Sequence, residues 1–253
     1  MIAAPRRIPA RIDEVSPLGG RILSIRLQLR EMPEGVRAGH YVLLQHRDGT
    51  DIPFSLASPP RDLPRLQLHY QATAGSEDAR RVDEILGAGG KVTVSLPHGR
   101  CGIEGPLTRP LLIIAGGTGV TQARSILLEH LPDAVAPVRL YWGVARADDL
   151  YLAADLDALA RQWSGFRWFA AVETGALADS RGGRGRAADL VTADIDAGRL
   201  ELDTWDVLLA GGPSMVWGTI EALGPAGLTE ARTRADVFEY APRDDLWTPD
   251  PPT

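Results

Sequence analysis

The stretch Leu111–Leu127, LLIIAGGTGVTQARSIL, carries the most specific chemical signal in the sequence. A continuous apolar run ends at Ala115, and Gly116, Gly117, Thr118 and Gly119 turn the chain toward a helix-like segment, TQARSILLEHL, from Thr121. Glycines at such a turn let the backbone approach a diphosphate, while free N–H groups and the helix dipole favour its negative charge. A ligand at the carboxyl end of a buried strand also follows the rule for open α/β sheets. The stretch is not the GxGxxG fingerprint, because Val120, Thr121 and Gln122 follow Gly119. A tight turn that needs glycines for geometry alone is the plainer alternative. Three glycines and a threonine in four positions favour phosphate, without naming the nucleotide.

Two further stretches have chemical potential. AGGPSM, Ala210–Met215, follows the apolar run WDVLL and places Pro213 where a helix tolerates it best, in the first turn. Two glycine-rich strand ends in one sheet, the second at Gly211 and Gly212, suggest the two edges of one dinucleotide crevice; a simple helix-initiating turn explains the second nearly as well. DIPFSLASPP, Asp51–Pro60, offers one aromatic, two hydroxyls and exposed backbone groups. On composition alone it is a strand with a proline at an edge.

The elements that must position these residues fall into two styles. RILSIRLQL (Arg21–Leu29) alternates apolar and polar residues as a half-buried strand does, and Tyr41–His46, Arg65–Ala72 and Lys91–Pro97 have similar character. PLGG, EMPEG, ASPPRDLP and GAGG punctuate them. One helix is expected at Ser76–Leu86, with a capping serine and Val82, Ile85 and Leu86 on one face. Short strands with one helix predict an antiparallel β-barrel over 1–104. From Leu111 the rhythm becomes strand and helix in alternation: VRLYWGV, DLYLAADLDALARQW, FRWFAAV, RAADLVTADI, WDVLLAGG, PSMVWGTIEAL and, as a last strand, ADVFEY. That predicts a parallel-sheet α/β domain over 108–253 with helices on both faces. The tail DDLWTPDPPT reads as an exposed extension.

Composition narrows the function classes. The chain has 253 residues, 44% hydrophobic and 24% charged, enough for two modest domains with their own cores. A net charge of −6 gives a nucleic-acid role no electrostatic support. The arginines between Arg181 and Arg186 are interrupted by glycines and read as a solvated loop. A single cysteine, Cys101, cannot form an internal disulfide, a Cys-rich zinc site or an iron–sulfur cluster, and it reads as a packed residue in PHGRCGIEG. No metal site is expected. No window approaches the ~18 consecutive apolar residues of a membrane span, and MIAAPRRIPAR is not a signal peptide, so a cytoplasmic location is expected.

Taken in order, PFSLAS, KVTVSLPHG, RPLLIIAGGTGVTQARSILL and LYWGVARADDLY give the chain a family likeness over nearly its whole length. It resembles the ferredoxin–NADP reductase superfamily, and within it the bacterial NAD(P)H:flavin oxidoreductases, including those that supply reduced flavin to luciferases. The resemblance implies that Pro53 and Phe54 lie along an isoalloxazine ring and that the Ser55 hydroxyl hydrogen-bonds near flavin N5. Such a contact would steady the reduced ring; the alternative is that Ser55 bonds a neighbouring carbonyl. His69 and Tyr70 would lie under or beside the flavin, with a core or surface role about as well supported. Gly116, Gly117, Thr118, Gly119 and Val120 would cradle the dinucleotide diphosphate, and Gly211, Gly212 and Pro213 would border the nicotinamide. The sequence departs from the family pattern at Ile52, where relatives that hold flavin tightly carry an arginine on the flavin phosphate. Losing that partner favours a flavin that comes and goes, or one recognised by its ring. Gly211 stands where many relatives have a cysteine. Glu173, in AVETG, suits a free ribose hydroxyl and so NADH; Arg146 could pair with a phosphate, but a surface ion pair with Asp148 or Asp149 is the plainer account.

The leading expectation is therefore a flavin reductase that passes hydride from NADH or NADPH to the N5 of a diffusible flavin, whether FMN, FAD or riboflavin. A flavoprotein electron-transfer reductase serving a separate oxygenase or iron–sulfur partner is the alternative. A non-catalytic nucleotide-binding subunit is a third, supported mainly by Ile52.

Overall fold

A computed structural model describes residues 4–175 and 181–243. Two compact units are present: the chain up to Glu104 with Thr121–Glu129, and Gly105–Val120 with the chain from His130 onward.

The first unit is a six-stranded antiparallel sheet built from β1 (Arg6–Gly19), β2 (Ile22–Leu29), β3 (Tyr41–Gln45), β4 (Asp51–Ser55), β5 (Arg65–Gln71) and β6 (Lys91–His98). The strands lie in the order β4-β3-β6-β1-β2-β5. Just beyond β4, the Ala57 N–H donates to the Gln67 carbonyl on β5 at 2.8 Å, so the two ends of that order approach one another and the sheet curls into a barrel. Alternation fills the interior with Ile8, Ile25, Leu27, Val42, Leu44, Leu68, Val94 and Leu96, all essentially inaccessible. Helix α1 (Glu77–Ala88) starts where its sequence signal lies: the Ser76 hydroxyl accepts from the Ala79 N–H, and Val82 and Ile85 are buried. Helix α2 (Val120–His130) joins this unit through its middle, where the Ser125 hydroxyl donates to the Ser58 carbonyl at 2.8 Å and Gln122 Nε2 to the Gly39 carbonyl at 2.6 Å.

The second unit is a parallel sheet of β7 (Leu111–Gly116), β8 (Val138–Arg146), β9 (Phe166–Thr174), β10 (Gly182–Arg184), β11 (Asp206–Ala210) and β12 (Thr233–Arg234), ordered β10-β9-β8-β7-β11-β12. On one face Leu112, Ile114, Val207 and Leu209 pack with Val191 of α4 (Ala187–Asp196) and with Val216, Trp217 and Ile220 of α5 (Pro213–Leu223). On the other, α3 (Ala153–Gln162) lies beside β9, where Trp168 Nε1 donates to Asp157 Oδ1 at 2.9 Å. The central strands β7 and β11 are buried on both faces, which is why they read as unbroken apolar runs.

Three expectations need correction or qualification. ADVFEY does not supply the last strand: Thr233–Arg234 pairs with Val207–Leu208, and Val237–Tyr240 forms a short helix, α6, with Val237 buried in the core. The arginine-rich piece Arg181–Arg186 is not a free loop, because Gly182–Arg184 forms β10 against Ala170–Val172. The expected extension 244–253 lies outside the described residues.

Candidate functional site

In the second unit, the carboxyl ends of β7, β8 and β9 and the first turns of α4 and α5 enclose a cavity of about 520 Å³. Its walls include Gly116, Gly117, Gly143, Glu173, Arg186, Gly212, Ser214 and Met215. The sheet explains the location. Crossovers leave β7 for β8 on one side and reach β11 on the other, so the strand ends around β7 diverge and leave a crevice.

The glycines at this crevice have distinct roles. A Cβ on Gly119 would come within 2.0 Å of the Ala210 carbonyl oxygen, so that glycine exists to let two strand ends meet. Gly116 and Gly211 would each collide with the Met215 side chain, at 2.8 and 2.9 Å. Gly143 makes room for the start of α4, with the Ala187 nitrogen 3.2 Å from its missing Cβ. Gly117 is different: it has φ +53° and no described atom within 4 Å of a Cβ. It borders the cavity, and its carbonyl accepts from Trp142 Nε1 at 2.8 Å, which fixes the turn. Close approach of backbone thus accounts for Gly119, packing on the Met215 side chain for Gly116 and Gly211, and Gly117 and Gly212 both face open space.

Of the other expected nucleotide residues, Gly212 lines the cavity and is the N-cap of α5, with Pro213 next to it in the first turn. Thr118 sits inside the short 3-10 turn Gly117–Gly119, and Val120 is fully buried. Arg146 pairs with Asp148 at 3.2 Å, the surface ion pair expected of it. Gly143, Arg186, Ser214 and Met215 were not legible as cavity residues. The first could have been found as a glycine placed where a parallel strand ends; the rest depend on which helices the sheet order brings together.

The barrel residues divide by the two-residue period of β4. Ile52 and Phe54 point inward, and Pro53 and Ser55 outward. Phe54 packs edge-to-face on Tyr70 with ring centroids 6.3 Å apart, so its ring lies in the core. Tyr70 is also buried, its hydroxyl 3.0 Å from both the Ala79 carbonyl and Asp83 Oδ1 on α1, and burial first, then Asp83, pushes it up to about 12. His69 is buried, and burial together with the Arg124 charge lowers it to about 3, so it is neutral at ordinary pH. Ser55 is half-buried, and its hydroxyl makes no hydrogen bond to another described residue. Across the strand from Ser55 lies Tyr41, which stacks on His98 at 5.4 Å. Next to Ile52, Asp51 faces outward and takes a bidentate contact from Arg7 at 3.0 and 2.8 Å.

Comparison with known proteins follows this layout. Residues 113–220 match the oxidoreductase NAD-binding domain. The chain is similar to the NAD(P)H-flavin reductase of Vibrio harveyi, with 31% identity over 211 residues that cover 81% of this chain and 86% of the relative. The chain belongs to the ferredoxin–NADP reductase superfamily, with the NAD(P)H-flavin reductases. This family likeness extends to reductase component 1 of terephthalate 1,2-dioxygenase from Comamonas sp, at 29% identity over 94% of this chain and 70% of the relative. Among solved structures, the Amycolatopsis cytochrome P450 reductase GcoB superposes with a TM-score of 0.79 at 27% identity, covering 92% of this chain and 69% of that one. The resemblance read from PFSLAS and GGTG, and the order of barrel then α/β sheet, therefore hold. Among the described residues no helix is long and apolar enough to cross a membrane, and no cluster of three His, Cys, Asp or Glu could hold a metal.

Proposed function

We propose that the protein is an NAD(P)H:flavin oxidoreductase acting on a flavin that binds and leaves. The observation that carries this reading is the cavity at the ends of β7–β9, where an open glycine turn at Gly117 meets the N-termini of α4 and α5. Such a turn supports a diphosphate: N–H groups and two helix dipoles converge on it, and nothing on Gly117 obstructs approach. Gly116, Thr118, Gly119, Val120 and Gly211 shape that turn and its neighbour, and Gly212 and Pro213 border the nicotinamide end.

On the barrel, Pro53 and Ser55 are the β4 groups placed to meet a flavin ring, since Phe54 lies in the core and stiffens the strand beneath them. When bound, the nicotinamide would supply a hydride and the flavin would accept it at N5. The unpartnered Ser55 hydroxyl is free to hydrogen-bond at that atom and hold the ring in register. No general acid or base is required for the hydride itself. Ile52 supports a loosely held flavin, because it is an apolar core residue where a phosphate-gripping guanidinium would be needed. Purified protein is therefore expected to be colourless and to oxidise NADH only when riboflavin, FMN or FAD is added. Protein that remains yellow through gel filtration would favour the second reading, a reductase with a resident flavin that serves an oxygenase. The likeness to the terephthalate dioxygenase component is what keeps that reading in view. Absence of nucleotide oxidation with every flavin would overturn both.

A further inference from the structure

The side chain of Met215 lies across the strand ends that frame the cavity. Strands β7 and β11 are neighbours, paired in register at Ala115 and Ala210, and a glycine follows each of those alanines. A Cβ on Gly211 would stand 2.9 Å from Met215 Sδ, and one on Gly116 would stand 2.8 Å from Cγ and 3.4 Å from Sδ. The thioether therefore occupies the space that both glycines leave empty. Its backbone is held as well, since the Thr219 hydroxyl donates to the Met215 carbonyl at 2.8 Å, one turn along α5.

Gap filling alone is an ordinary use of methionine, whose unbranched chain fits irregular spaces. The location adds a second property. Met215 is only partly buried, and it lines the cavity beside Gly116, Gly117 and Gly212. Its sulfur is thus backed by two strand ends and open toward the cavity. Among the described residues no other sulfur borders that space: Cys101 is buried in the first unit, and Met32 is 60% exposed in the connection between β2 and β3.

We propose that Met215 is a site of oxidation by hydrogen peroxide, and that its sulfoxide closes the cavity to the dinucleotide. In that step a sulfur lone pair takes one oxygen of the peroxide; the O–O bond breaks and the other oxygen leaves as water. Sulfur is oxidised by two electrons and the peroxide is reduced. The strand ends leave no room behind the sulfur, so the new oxygen projects into the cavity and replaces an apolar surface with a polar, chiral one. The inference rests on the reading that this cavity takes a pyridine dinucleotide and that the flavin leaves once reduced. A reduced flavin released into aerated solution passes two electrons and two protons to dioxygen, giving oxidised flavin and hydrogen peroxide. The oxidant is then a by-product of turnover, and its accumulation shuts off the nucleotide that feeds it.

The full chain, exposed to hydrogen peroxide and then freed of it, can be mapped by peptide mass spectrometry and titrated with NADH by fluorescence. Met215 and Met32 should each gain one oxygen, and the NADH dissociation constant should rise by about tenfold and fall again after methionine sulfoxide reductase treatment. Met32→Leu, in an exposed connection, should lose binding as the wild type does. Met215→Leu removes the sulfur and keeps an apolar side chain, so peroxide should leave its dissociation constant within about twofold of its own untreated value. Saturating NAD+ should slow oxidation of Met215 and not of Met32. Met215 left unmodified while Met32 is oxidised, full oxidation of Met215 with NADH affinity unchanged, or an equal loss in Met215→Leu would overturn the proposal. An untreated protein that binds NADH but reduces no flavin would overturn the reductase reading, while binding that still fails on oxidation of Met215 would support this site. Failure of the untreated protein to bind NADH would overturn both.

Discussion

Ser55 carries the chemical expectation for the barrel. Its hydroxyl lies on the outer face of β4 with no described partner, while Phe54 beside it fills the core. Ser55→Ala removes one hydrogen bond at the reacting ring, so the hydride-transfer rate should fall by about tenfold, corresponding to ~1.4 kcal/mol, with the Michaelis constant for the nucleotide little changed. Stopped-flow bleaching of flavin absorbance would measure it, and an undiminished rate would reject the N5 assignment. Ile52 sets a different expectation. Restoring the family's arginine there would not restore phosphate binding, because the side chain at 52 faces a barrel interior in which Ile52 is 4% exposed. Ile52→Arg should cost about 3 kcal/mol or more in urea unfolding and give no gain in FMN over riboflavin affinity. The guanidinium beside β4, Arg7, is already engaged by Asp51.

At the scale of elements, the sequence was legible wherever a local rule and the tertiary demand agree. Pro213 and the apolar face Val216, Trp217, Ile220 and Leu223 mark α5 end to end, and Ser76 marks the start of α1. The central parallel strands β7 and β11 declare themselves because both of their faces are buried. Strand β1 does not: Arg6, Arg7, Pro9 and Arg11 dominate its sequence, and register shifts between Ile12 and Glu14 and between Pro17 and Gly19 break its alternation. Strand β10 is three residues of glycine and arginine that exist as a strand only because β9 offers a partner edge. That non-local pairing is what sets Arg186 beside Glu173, and no local pattern announces it. The inward direction of Phe54, by contrast, was available from the two-residue period that puts Ser55 outward. The two glycine roles make a paired prediction. Gly119→Ala drives a methyl into the Ala210 carbonyl and should destabilise the second unit by several kcal/mol, seen as a large drop in melting temperature. Gly117→Val meets open space and should cost mainly the ~1–2 kcal/mol of a left-handed backbone. Its larger effect should be a raised Michaelis constant for the nucleotide; equal melting losses in the two variants would contradict this division.

For the molecule as a whole, buried histidines set the acid limit. His40 is 1% exposed; burial first, then the Arg37 charge, lowers it to about 4, and its Nδ1 accepts from the Arg37 N–H at 3.0 Å. His69 lies lower still, at about 3. In the unfolded chain both titrate near the ordinary 6.5. Below that pH the unfolded state binds protons that the folded state refuses, so stability is complete above it and falls as pH drops toward the folded values. The slope should be about 1.4 kcal/mol per pH unit for each histidine. Lowered carboxylates such as Asp51 and Asp189 add a loss of the same sign, but only further down, through the carboxylate range. Urea midpoints measured from about pH 7 to about pH 5 isolate the histidine contribution. A flat profile there would mean that His40 and His69 are accessible to protons in the native state.

Cys101 is the only sulfur nucleophile in the chain and has no accessible surface, its carbonyl seated where a Cβ on Gly39 would be. A maleimide reagent should therefore leave the native protein untouched and label it only through openings of the barrel unit, at a rate that urea accelerates in step with loss of structure. One silent thiol becomes a built-in clock for barrel opening. Labelling as fast as in a denatured control would show that Gly39 and Cys101 part far more readily than their close fit implies.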